Sequence, residues 1–122
     1  MKGPLNAQSF IDRGFTVLDE SPHSIKVEKG CCEILISVVN DKIVLELPVI
    51  KLWGKRANSF VLTEYLLRRN GDMKGPGFFG IKDDCVYYLS AASDLESSYD
   101  AASKMSETIA RLGSKIINVS AQ

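Results

Sequence analysis

Cysteines, one histidine and scattered carboxylates are the residues of this chain with chemistry to offer, and their spacing decides what each can do. Cys31, Cys32 and Cys85 are odd in number and form no Cys-x-x-Cys pair, so neither thioredoxin-type exchange nor a zinc knuckle is encoded. His23 stands alone in a turn sequence between Pro22 and Ser24, short of the donor set a metal needs. The thiols are therefore read as small buried hydrophobes, and neither a metal nor a cofactor is expected. Asp12, Asp19, Glu33 and Glu64 follow no spacing that assigns paired acid and base roles, and the serines lack a nucleophile-elbow sequence. The adjacent acids Asp83 and Asp84 have the oxygens for Mg²⁺, but at a hairpin tip they read as a solvated turn. No catalytic residue is assigned, and the chain is not expected to be an enzyme.

Two groups could recognise an anion. Gly71, Gly75, Gly77 and Gly80 invite a phosphate-loop reading, yet no Gly-Lys-Ser/Thr follows and the run comes after a helix instead of joining a strand to one. Turning the chain and relieving crowding beside Phe78 and Phe79 is the expected role of these glycines. Lys51, Lys55 and Arg56 surround Trp53, and Arg68 and Arg69 end the next helix, a combination able to hold phosphate and stack a base. The same residues also suit a plainer role, with Trp53 closing a sheet-to-helix junction and the arginines complementing a helix C-terminus. Lys plus Arg and Asp plus Glu each number 15, so net charge supplies no pull toward a polyanion. Nucleic acid is therefore an unfavoured partner, bound only if the patch around Trp53 makes a local exception.

The elements that must position these residues follow from apolar periodicity. Phe15 to Asp19 and Ser24 to Glu28 are short alternating segments joined by turn residues, as in a hairpin. Cys31 to Val39 places Cys32, Ile34, Ile36 and Val38 on one face and Leu35 and Val39 on the other. Asn40-Asp41 then turns the chain into a strand over Lys42 to Leu52, in which Pro48 implies an edge, a bulge or a fraying end. A helix capped by Asn58 or Ser59 runs to about Arg69 and stops at Asn70-Gly71. Phe78 to Ile81 and Cys85 to Leu89 form a second hairpin. Leu95, Tyr99, Ala102, Met105, Ile109, Leu112, Ile116 and Val119 alternate steps of three and four, which predicts a long amphipathic helix with Gly113 as a bend or close approach. The expected architecture is α+β: a single-layer antiparallel sheet with helices packed on one side, in the order β-β-β-β-α-β-β-α, with a short N-terminal helix allowed near Leu5 to Asp12.

The chain has 122 residues, 45% of them hydrophobic, which fits one domain over residues 1–122 around one core. No apolar run approaches the roughly 18 residues needed to cross a bilayer, and Met1 to Asn6 lacks the apolar stretch of a signal peptide. A cytoplasmic protein with no membrane partner is expected.

Tyr65-Leu-Leu-Arg-Arg-Asn70, then Gly75-Pro-Gly-Phe-Phe-Gly-Ile-Lys-Asp83 and Val86-Tyr-Tyr-Leu89, followed by the long helix, resembles the type III secretion chaperones and the related YbjN-like proteins. Leu66, Leu67 and Asn70 match the family's helix end, Phe79, Ile81 and Asp83 its hairpin, and Leu89 with Leu95 to Val119 its closing strand and helix. The N-terminal helix is shorter than is common in secretion chaperones, since Gly3, Pro4 and Gly14 limit it. The resemblance implies a homodimeric, chaperone-like module that binds an extended protein segment. Leu35 and Val39, with Phe78 or Phe79, are the residues expected to meet that partner, and a small-molecule sensor or enzyme ranks behind nucleic-acid binding as an alternative.

Overall fold

The computed structural model describes residues 5–30, 32–52, 60–72 and 75–121. Its elements are α1 (Ala7–Ile11), β1 (Thr16–Ser21), β2 (Ser24–Lys29), β3 (Cys32–Val39), β4 (Lys42–Lys51), α2 (Phe60–Asp72), β5 (Phe78–Lys82), β6 (Cys85–Ala92) and α3 (Leu95–Ser120). The six strands form one sheet in the spatial order β1-β2-β3-β4-β6-β5, every neighbouring pair antiparallel. The fold is α+β with its helices on one side of an antiparallel sheet. It departs from the bare eight-element order by opening with α1, and the last hairpin enters the sheet with its second strand innermost.

Turn chemistry explains the hairpins. Asn40 and Asp41 have φ of 49° and 64°, and Asp83 and Asp84 have 53° and 58°. Both pairs put two consecutive residues in the left-handed region, which two-residue hairpins favour because such turns match the twist of the strands. Asn and Asp tolerate that region better than other residues with a Cβ. Asp83 and Asp84 thus have a conformational task.

Alternation along the strands sends one set of side chains toward the helices. Ile25, Val27, Ile34, Ile36, Ile43, Leu45 and Leu47 are buried with Tyr88, and onto them pack Phe10 of α1 and Tyr99, Ala102, Met105 and Ile109 of α3. Phe10 meets Tyr99 edge-on, with centroids 4.9 Å apart. A second cluster, Leu52, Leu62, Leu66, Val86 and Ile116, joins α2 to the C-terminal half of α3. Each such large side chain contributes about 1.5–3 kcal/mol through burial. Between them the two clusters hold α3 against both the sheet and α2.

Two local expectations change, and one of the placements expected for Pro48 is met. Helix α2 does not stop at Asn70-Gly71 but continues to Asp72, and neither Asn70 nor Gly71 takes the left-handed conformation of a cap. Gly113 marks no close approach: α3 runs through it unbroken, and a Cβ there would meet only Ile109 Cγ2 at 3.8 Å. Of the placements expected for Pro48, the bulge is the one found: its strand is interior, and the register shifts between Pro48 and Ile50. The bulge accommodates the residue that has no N–H to give to a ladder.

Candidate functional site

Because the described helices lie on one side, the other face of the sheet is left open. Cross-strand pairing places Lys26, Leu35, Glu46, Leu89 and Phe78 in one row across β2, β3, β4, β6 and β5. A neighbouring row holds Pro48, Tyr87 and Gly80. Leu35, Tyr87 and Leu89 are half-buried, whereas Pro48 and Phe78 are exposed, Phe78 by 52%. Apolar side chains therefore run across the open face between charged ones.

The centre of this face is a depression of about 230 Å³. Leu35, Pro48 and Tyr87 supply its apolar lining, and Lys26, Glu33, Glu46 and Lys82 its charged rim. Lys82 of β5 reaches over β6 to form an ion pair with Glu46 of β4. On the way its ammonium stands 4.8 Å from the centroid of the Tyr87 ring. The hydrogen bond to Glu46 is the main reason the Lys82 pKa is raised above 10.5, with the carboxylate charge acting in the same direction. This bridge closes one side of the depression.

Neither sheet edge offers a clean ladder. At β5, Phe79 N–H donates to Asn70 Oδ1 at 2.7 Å, and Asn70 Nδ2 donates to Phe79 O at 3.0 Å. A side-chain amide thus occupies the pair of bonds that an added strand would make at Phe79. At the opposite edge, β1 is interrupted between Val17 and Asp19 and carries exposed Asp19 and Glu20. Bulges and charge at an edge discourage strand addition. The open face is consequently better suited than the edges to hold a segment.

Leu35, Val39 and Phe78 all lie on the open face, with Val39 at its end beside the Asn40-Asp41 turn. Phe79 points to the helix side, its ring centroid 4.7 Å from that of Tyr88. Of the basic group, Trp53, Lys55 and Arg56 lie outside the described residues. Lys51 Nζ donates to Asp83 O at 3.0 Å, Arg68 pairs with Glu64 at 3.6 Å on the outer side of α2, and Arg69 lines a small cavity with Gly75 and Tyr88. These three cations occupy different surroundings. Cys32 and Cys85 are buried thiols, and Cys31 lies outside the described residues. Among the described residues, no group of three or more His, Cys, Asp or Glu is placed to hold a metal, and no helix is long and apolar enough to cross a membrane.

Pro48, Tyr87, Leu89 and the Glu46–Lys82 bridge were not assigned to a site by sequence reasoning. Alternation from Val86 to Leu89 hinted that Tyr87 and Leu89 share a face, but their meeting with Leu35 depends on β6 inserting beside β4. No family model matches the chain, and no curated protein matches it.

Proposed function

We propose that this chain is a homodimeric protein-binding module, chaperone-like and without catalytic chemistry, that holds an extended segment of another protein on its open sheet face. The carrying observation is the set of apolar side chains Leu35, Pro48, Tyr87, Leu89 and Phe78 on the side of the sheet opposite the helices, with Glu46 among them paired to Lys82. An extended segment laid there can exchange hydrated apolar surface for contact while leaving the guarded edges undisturbed. The resemblance to secretion chaperones and YbjN-like proteins supports the same reading.

The outer side of α2 supports self-association. Phe60 is 75% exposed and Leu67 64%, and Thr63, Glu64 and Arg68 lie between and beside them. A two-fold axis across such a helix allows apolar residues to meet and Glu64 to approach Arg68 of a second copy. Sedimentation equilibrium at micromolar concentration is expected to give twice the 13.4 kDa chain mass for the wild type and the monomer mass for Leu67→Glu. A wild-type monomer that persists as concentration rises overturns the dimer. For the binding role, titration with a diverse peptide library and with random-sequence nucleic acid at two salt concentrations is expected to give peptide binding and only weak, salt-sensitive nucleic-acid binding. Submicromolar nucleic-acid affinity with no peptide hits would replace this reading with the basic patch around Trp53.

A further inference from the structure

The two lysines and two glutamates of the rim balance in number, and the asymmetry comes from Glu28, just outside it. Glu46 is matched by Lys82. On the β2–β3 side, Glu33 stands directly across from Glu28. Carboxylates facing each other across an antiparallel pair repel, and neither makes an ion pair among the described residues. Lys26 is the cation on that side of the rim, beside Leu35 in the register. The apolar floor therefore has a neutralised wall on one side and, with Glu28 counted beside the rim, two carboxylates to one lysine on the other.

We infer that the depression takes one bulky apolar side chain from an extended protein segment that also carries a Lys or Arg within two positions of that anchor. This rests on the protein-binding reading and adds the sequence class of the partner. The volume of about 230 Å³ accommodates a single large side chain. Leu35, Pro48 and Tyr87 offer it apolar contact, with the Tyr87 ring held in place beneath the Lys82 ammonium. In an extended segment residues are spaced by about 3.3 Å, so a basic residue one or two positions from the anchor reaches the Glu28–Glu33 side. There it relieves the repulsion between the two carboxylates. An acidic residue in that position would add a third negative charge, so the same geometry selects against acidic flanks.

The test is selection of displayed random peptides on the full chain, followed by affinity measurements with synthetic versions of the recovered sequences. Recovered peptides are expected to share a Leu, Ile, Met or Phe with a Lys or Arg within two positions. Glu33→Lys removes the Glu28–Glu33 repulsion and so should fold at least as well as wild type. It is expected to weaken the basic-flank peptides by about fivefold and to favour versions with Glu in place of the basic residue. Leu35→Trp, checked for an unchanged fold by circular dichroism, should block the anchor and abolish binding of both versions. Peptides recovered without a basic flank, or unaffected by Leu35→Trp, overturn this inference and leave the protein-binding reading standing. If no peptide is recovered, both fall.

Discussion

At Gly77 the chain comes too close to a neighbouring strand for any side chain. A Cβ there would lie 2.2 Å from the carbonyl oxygen of Leu89, and one at Gly75 would lie 2.1 Å from the Tyr88 hydroxyl. Tyr88 is buried, and its oxygen accepts a hydrogen bond from Gly77 N–H at 3.2 Å. Residues 75–77 before β5 are thus seated on the tip of a core tyrosine, which is a more specific task than relieving crowding beside Phe78 and Phe79. Gly77→Ala is expected to cost about 3 kcal/mol, because backbone must move to admit the methyl group. Gly71 lies in α2, where an added Cβ would have nothing within 4 Å, so Gly71→Ala should be neutral or stabilising by up to about 1 kcal/mol. Urea denaturation of the two variants checks the contrast, and equal effects would contradict this account. The number of glycines in the loop was visible in the sequence, but which of them meets backbone was not.

Helix α3 was the most legible element, since its apolar spacing of three and four is a local property of the chain. Its N-terminus is capped by Asp94, whose side chain accepts from Ser97 N–H at 2.7 Å, and Glu96 adds negative charge to the first turn. Less legible were the polar residues on its buried side. Ser98, Ser106, Thr108 and Ser120 are buried and donate to carbonyls of their own helix, as Ser106 Oγ does to Ala102 O at 3.1 Å. A hydroxyl that bonds within its helix can be buried at little cost, so polarity alone misjudges its position. Two substitutions in α3 should have opposite signs. Asp94→Ala is expected to lower stability by about 1 kcal/mol through loss of the cap. Gly113→Ala should raise it by about 0.5–1 kcal/mol, as the helix is continuous there and the added methyl finds ordinary contact. Thermal melts followed by circular dichroism distinguish them, and a destabilising Gly113→Ala would indicate a contact that the fold does not contain.

For the molecule as a whole, the open face is tied together by the bridge from β5 to β4. Raising the Lys82 pKa above 10.5 means that the folded chain binds this proton more tightly than the unfolded chain does. The bridge's contribution to stability is therefore fully present below about pH 10.5 and disappears as pH rises through the raised value. Urea midpoints for the wild type and Lys82→Met are expected to differ at about pH 8 and to converge in strong alkali. Comparing the two proteins at each pH cancels the effects common to both. A gap that widens with pH would refute the linkage.

The sequence by itself determined the type of each major element and which strand residues share a face. Periods of two and of about 3.6 are set by backbone geometry within a few residues, so Leu35 and Val39 could be assigned to the face opposite Ile34 and Ile36. The left-handed turns were likewise readable, from Asn40-Asp41 and Asp83-Asp84. Only the tertiary structure decided that β6 lies between β4 and β5, which brings Tyr87 and Leu89 beside Glu46 and Pro48, and that Phe79, not Phe78, faces the helices. It also decided that Asn70 guards an edge strand instead of ending a helix. Those outcomes depend on contacts between residues far apart in the chain, whose relative register is selected by simultaneous packing of the two clusters against α2 and α3. Local patterns specify the faces, and only the assembled sheet specifies which faces meet.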